Sequence, residues 1–175
     1  MKVRNLLLVR HGQSEWNEKN LFTGWEDPGL TKKGELEARN AGSLIKELEI
    51  NFDFTFTSAL IRAQITGSII LDEINQSEIP IIKDQALNER FYGDLQGLNK
   101  DECREKWGEE KVQMWRRSYE MGPPGGETLK QTGERVVPYF KKEIQSLILE
   151  GKNILITAHG NSLRSLIKFL DDVSD

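Results

Sequence analysis

The sequence predicts an α/β protein, a three-layer sandwich with a mostly parallel central sheet flanked by helices. Two observations predict it. Short apolar runs of strand length recur at Leu6–Val9, Phe52–Thr57 and Asn153–Ala158. Between them the apolar spacing switches to a helical period, and the resulting β-α-β-α order suits parallel strands joined by crossover helices. At 175 residues the chain has the length of one domain, residues 1–175, with a core that needs no disulfide or metal staple.

The elements follow in order. Leu6–Val9 is bounded by charges and reads as a buried strand. Over Thr31–Leu48, Leu36, Ala38, Ala41, Leu44, Ile45 and Leu48 mark the apolar face of a helix with Thr31 as its N-cap. Phe52–Thr57 (FDFTFT) alternates as a strand does, and Ser58 is placed to cap a helix running to about Asp72. Ile79–Ile82, with Pro80 inside, reads as a short or edge strand. Leu87–Tyr119 is polar and broken by glycines, a region of short helices and loops. Met121–Glu127 (MGPPGGE) breaks regular structure. A helix then runs from Thr128 to about Glu150 with Gly151 as its stop, followed by a strand over Asn153–Ala158 and a last helix over Asn161–Leu170.

Composition excludes several classes of function. With 24 Lys and Arg against 28 Asp and Glu, the net charge is −4, the wrong sign for a nucleic-acid footprint. No apolar run approaches the ~18 residues of a membrane span. The apolar run near the N-terminus is too short for a signal peptide. Cys103 is the one cysteine, so an internal disulfide is impossible and a reducing compartment is expected. Zinc-finger ligand sets are missing.

The chain has only two histidines, and they share one local context. His11 follows the first apolar run and precedes Gly12; His159 follows the last and precedes Gly160. Ligands of an open parallel sheet bind beyond the carboxyl ends of its strands, so neighbouring strands would bring both rings to one rim. Two histidines without cysteine or H-x-x-x-H spacing make a poor metal site, and no metal is expected. A neutral imidazole is a competent nucleophile near neutral pH. Arg10 beside His11, and Arg62 just beyond the second strand, offer planar forks that match phosphate oxygens. Together these residues describe phosphoryl transfer through a phosphohistidine.

Leu8–Gly12 (LVRHG) resembles the signature of the histidine phosphatase superfamily. Arg10–Asn17 (RHGQSEWN), Phe22–Trp25 (FTGW), Thr57–Ala63 (TSALIRA), Leu87–Lys100 (LNERFYGDLQGLNK), Trp115–Arg117 (WRR) and Ala158–Arg164 (AHGNSLR) together resemble the cofactor-dependent phosphoglycerate mutase family over nearly the whole chain. That resemblance implies the fold of the family and a role for each matched residue. His11 would be phosphorylated, with Arg10, Arg62 and His159 around the transferred group. Glu89 would be the general acid and base, although spacing alone reads it as a surface carboxylate beside Arg90. Ser14, Asn17, Thr23, Gly24, Gly160 and Asn161 would bind the phosphate and its ligand; Tyr92, Lys100, Arg116 and Arg117 would hold the far anionic end.

The implied reaction interconverts 2-phosphoglycerate and 3-phosphoglycerate in glycolysis and gluconeogenesis, primed by 2,3-bisphosphoglycerate, with a small phosphorylated acid as substrate, and would place the protein in the cytoplasm. The resemblance also implies a homodimer or homotetramer. A mutase needs a second anion clamp and a cover against water; Lys100 with Arg116 and Arg117, and the Leu87–Tyr119 segment, are the candidates. Trp107, Trp115 and Cys103 read as packing residues. The resemblance departs at two places. Ser118–Gly126 (SYEMGPPGG) bridges a longer insertion of some family members, and the family's C-terminal strand and tail are absent from this chain, which would leave a sheet edge unpaired. A broad-specificity phosphatase on the same fold, or an inactive anion-binding module lacking that C-terminus, are the alternatives.

Overall fold

The structure, a computed structural model, describes residues 4–174. Met1–Val3 and Asp175, on which the expectations about a leader and a tail partly rest, lie outside the described residues. The elements run β1 (Leu6–Arg10), α1 (Glu15–Glu18), α2 (Lys32–Lys46), β2 (Phe54–Thr57), α3 (Ile61–Glu73) and β3 (Ile81–Lys83). Then come α4 (Lys100–Trp107), α5 (Glu109–Arg117), α6 (Leu129–Tyr139), α7 (Gln145–Leu149), β4 (Ile154–Ala158) and α8 (Gly160–Leu170).

The sheet has the order β1-β4-β2-β3, and each pairing is parallel. This is the predicted α/β sandwich. Alternation along the strands divides the core between two faces, as a pleated backbone requires. Leu6, Leu8, Phe56, Ile154, Ile156 and Ala158 pack with Val136 and Phe140 beneath α6 and with Leu163 and Leu166 of α8. Leu7, Val9 and Leu155 face the other way, against Ile45 of α2 and Ile70 and Leu71 of α3. β4 is buried along its length because it lies between β1 and β2. β1 ends the sheet on one side; β3, preceded by Pro80, ends it on the other.

Three expectations need correction. The large apolar side chains expected on the buried face of this helix do not form it: Leu36 and Leu44 of α2, and Leu48 just beyond it, are exposed. The buried residues are Gly34, Ala38, Gly42 and Ile45, because α2 lies too close to α3 for leucines. A Cβ at Gly42 would come within 2.7 Å of Glu73 Cβ. The helix expected over 128–150 is interrupted. Pro138 removes a backbone donor from the ladder, and Phe140–Ile144 continues it with the wider π spacing before α7. Ser58 does not cap α3, whose N-cap is Leu60; its hydroxyl is engaged elsewhere, as described below.

The Leu87–Tyr119 segment folds into short 3₁₀ turns, α4 and α5 around a separate apolar cluster of Phe22, Leu95, Cys103, Val112 and Trp115. The rings of Trp107 and Trp115 meet edge to face at 5.7 Å. This cluster stands over the carboxyl ends of the strands.

The loop after β1 is locked to the start of α2. Thr31 caps α2 by accepting from Gly34 N and donates to Gln13, and a Cβ at Gly34 would meet Gln13 O at 2.1 Å. Gly34→Ala is therefore expected to cost about 1–3 kcal/mol, read as a lower urea midpoint with an unchanged slope.

Candidate active site

The register of β1 against β4 pairs Arg10 with Ala158, so the next residue on each strand is a histidine. His11 N donates to Ala158 O at 3.0 Å. The two rings meet edge to face with centroids 5.0 Å apart. His11 is 5% exposed and His159 fully buried.

Each ring is held by one nitrogen. His11 Nδ1 lies 2.6 Å from the carbonyl oxygen of Gly12. A carbonyl only accepts, so Nδ1 carries the proton and Nε2 keeps its lone pair. Burial, reinforced by the Arg62 and Arg10 guanidiniums, lowers the His11 pKa to about 3. The ring is thus neutral and unprotonated at Nε2 across the physiological range. His159 Nε2 lies 2.7 Å from Ser58 Oγ, which also accepts from Leu60 N. Burial, with His11 and the arginines nearby, holds the His159 pKa well below its ordinary value. Its Nδ1 is buried at the head of α8, where His159 and Ser162 form a reciprocal cap.

His11 lines a cavity of about 320 Å³ together with Arg10, Arg62, Lys100, Arg116, Arg117 and Arg164; among the described residues Glu89 is the one carboxylate in its wall. Arg62 is buried at the head of α3, where Nη1 donates to Glu26 O and Nη2 to Gly24 O. Burial lowers its pKa to about 10, which leaves it charged at neutral pH. Positive φ at Gly24 turns the chain so that its carbonyl reaches Arg62; a side chain there would strike Gln96 Oε1. Thr23 Oγ1, also in the wall, is buried without a hydrogen-bond partner.

Glu89 does not lie on the surface as a partner of the Arg90 side chain, the reading its spacing alone suggests. Its Oε1 accepts from Arg90 N at 2.8 Å and from Asn161 N, in the first turn of α8, at 3.0 Å. Oε2 is the oxygen nearer the Gly160 position, which also faces Arg10 Nε. Further out, Tyr92 OH accepts from Asn161 Nδ2, and burial raises the Tyr92 pKa, so the phenol stays neutral. Lys100 stacks over the Phe22 ring and Arg116 and Arg117 end α5. Burial, with Arg116 and Arg10 close by, lowers the Lys100 pKa.

Of the residues singled out in the sequence, Ser14 and His159 do not line the cavity. Ser14 is buried in a cap: its Oγ accepts from Asn17 N, and Asn17 Oδ1 accepts from Ser14 N. Ser14 thereby fixes Asn17, which does line the cavity. Ser58 and Arg164 were missed. Ser58 follows the end of β2 at the same rim as both histidines, the signal that could have identified it. Arg164 lies three residues after Asn161 on α8 and donates to Asn161 Oδ1 at 3.2 Å, a spacing readable from the helix alone. Among the described residues no group of three or more His, Cys, Asp or Glu is arranged to hold a metal.

The arrangement suits a small anion carrying at least one phosphate. A neutral imidazole can attack phosphorus, while fixed cations and an unpaired donor stabilise the charge that develops.

Comparison with known proteins agrees. A family model described as histidine phosphatase superfamily (branch 1) matches residues 6–174. A Parvibaculum lavamentivorans protein named 2,3-bisphosphoglycerate-dependent phosphoglycerate mutase is 64% identical over 97% of this chain and 80% of its own length. One of the same name from Brucella anthropi is 60% identical over 98% of this chain and 83% of its own. Among solved structures, Bacillus stearothermophilus YhfR superposes with a TM-score of 0.84 at 29% identity, over 98% of this chain and 82% of that one. A phosphoglycerate mutase from Bacillus anthracis shares the fold with a TM-score of 0.82 at 24% identity, over 97% and 80%.

The buried neutral His11 has a consequence for stability. Its pKa in the fold, about 3, lies below the unfolded value of 6.5, so the unfolded chain binds the proton first. Stability is then lost as pH falls from about 6.5 towards about 3, by up to about 1.4 kcal/mol per pH unit for this one group. His11→Gln is expected to flatten that slope in urea titrations across this range; an unchanged slope would refute the assignment.

Proposed function

The chain belongs to the histidine phosphatase superfamily, branch 1, and from that membership we propose that it interconverts 2-phosphoglycerate and 3-phosphoglycerate through a phosphohistidine at His11. One observation carries the reading: a neutral imidazole with a free Nε2 lone pair lines a cavity walled by six cationic side chains and one anchored carboxylate. The mutase name of relatives at 60% and 64% identity supports the substrate.

2,3-Bisphosphoglycerate fits the same residues: Arg10, Arg62 and Thr23 are donors for one phosphate, and Lys100, Arg116 and Arg117 for the far anionic groups. When bound it supplies the phosphoryl group that His11 carries. Everything else falls to the chain. His11 Nε2 forms the N–P bond as a phosphate ester P–O bond breaks. Arg10 and Arg62 stabilise the equatorial oxygens, and His159, edge to face against His11, backs the attacking ring. Glu89 gives a proton to the departing oxygen, and takes one back from the acceptor hydroxyl when the N–P bond breaks. Asn161 N and Arg90 N hold Oε1 and leave Oε2 for this exchange.

The distal cations support a mutase over a broad phosphatase, because a phosphatase that hands the group to water needs no second clamp. The apolar cluster around Trp115 supports the same view as a cover. Action in the cytoplasm is part of the proposal, supported by Cys103, a buried free thiol. So is assembly as a homodimer or homotetramer, supported by the exposed Leu36 and Leu44 of α2 and Leu48 just beyond it.

Incubation with phosphorus-labelled 2,3-bisphosphoglycerate is expected to place acid-labile label on His11, discharged by 3-phosphoglycerate faster than by water. His11→Ala should abolish labelling. Arg116→Ala should raise KM for phosphoglycerate about tenfold, as expected for a lost charged hydrogen bond, and should slow labelling at saturating bisphosphate by less than it weakens use of phosphoglycerate. Discharge to water alone would replace the mutase reading with the phosphatase.

A further inference from the structure

Arg135 lies on α6, outside the cavity wall, and yet its guanidinium contacts the main chain that carries Glu89. Nη1 donates to Ala86 O at 2.8 Å and Asn88 O at 3.0 Å. Nη2 donates to Glu89 O at 2.8 Å. Nε and Nη2 clasp the two oxygens of Glu127, each at 2.8 Å. Glu127 Oε2 in turn accepts from Phe91 N at 2.9 Å, on the other side of Glu89. Trp25 Nε1 donates to the same Glu89 carbonyl at 2.7 Å, and the Arg135 guanidinium stacks over the Trp25 ring. Carbonyls at 86, 88 and 89 and the amide of 91 are thus all tied to one fork and its carboxylate.

We propose that Arg135, with Glu127 and Trp25, is a positioning residue for Glu89, setting the place from which its carboxyl exchanges protons with the reacting oxygen. The inference rests on the reading of Glu89 as acid and base. Glu89 sits on a loop between short turns, where no strand or helix ladder fixes its backbone. Its side chain is anchored at Oε1 only, so the position of Oε2 depends on where the main chain is held. A planar fork with fixed donor directions can hold three carbonyls and a carboxylate at once; a lysine ammonium, a point charge with three donors, cannot. Proton transfer is sensitive to such placement, and a misplacement of about 1 Å can cost about a hundredfold. Burial pushes the Glu127 carboxyl up, but the Arg135 and Phe91 hydrogen bonds outweigh it and keep the group ionised. The clasp is therefore charged at working pH.

The test uses two phosphoryl donors in single-turnover labelling of His11. With both, an N–P bond forms and a P–O bond breaks. 2,3-Bisphosphoglycerate releases an alkoxide, which must take a proton from Glu89. 2,4-Dinitrophenyl phosphate releases a phenolate, which leaves as the anion and needs no proton. Arg135→Lys is expected to slow labelling from the bisphosphate at least about tenfold and leave labelling from the aryl phosphate unchanged. Trp25→Phe, which keeps the ring and loses one hydrogen bond, should show the same pattern with a smaller loss. Equal slowing with both donors, or normal labelling in Arg135→Lys, would overturn the proposal. If Arg135→Lys does not fold, Trp25→Phe decides by the same criterion. Glu89→Gln separates the two readings: a donor-independent effect there would sink the role of Glu89 itself.

Discussion

The register of β1 on β4 is the constraint on which the site depends. Parallel strands exchange evenly spaced hydrogen bonds, so their ends stay level. Val9, Thr157 and Thr57 are level across β1, β4 and β2, and each strand then delivers its next residues to one rim. β1 delivers His11, β4 delivers His159, and β2 delivers Ser58 and the head of α3 with Arg62. A shift by one residue would turn the alternating core residues to the wrong faces and separate the rings at the same time. The apolar packing that stabilises the sheet is therefore also what aligns the chemistry.

Electrostatics at the rim follow from burial. An imidazole in a dry site among guanidiniums resists protonation, since both desolvation and like charge oppose the cation. His11 keeps its lone pair for that reason, and the hydrogen bond to Gly12 settles which nitrogen holds it. The same cations that repel a proton attract a phosphate. A chain of net charge −4 thus focuses positive charge on one cavity, which suits small acidic ligands and leaves the rest of the surface acidic.

The cavity is closed by a second, smaller cluster that the main sheet does not need. Phe22, Leu95, Cys103, Val112 and Trp115 hold α4 and α5 over the rim, and these two helices present Lys100, Arg116 and Arg117. Between that cluster and the sheet lies the Glu89 loop, fastened from α6 by Arg135 and from the α1–α2 connection by Trp25. One carboxylate is thus fixed relative to both halves of the site.

The sequence by itself determined the α/β order, the strand positions, the two histidine–glycine turns and most of the residues that line the cavity, because period, turn chemistry and local motifs are properties of neighbours in the chain. Its errors have local causes too. Ser58 stands where a cap would stand, and only the adjacent β4 makes it a partner of His159. The leucines of α2 satisfy a helical period, but the approach of α3 selects Ala38 and Gly42 instead. Ser14 belongs to a binding motif, and its cap with Asn17 appears only in three dimensions. What only the tertiary structure decided is which atoms meet. No pattern links Arg135 to Glu89, 46 residues earlier, because a hydrogen bond to a backbone carbonyl leaves no mark on the identity of the residue that offers it.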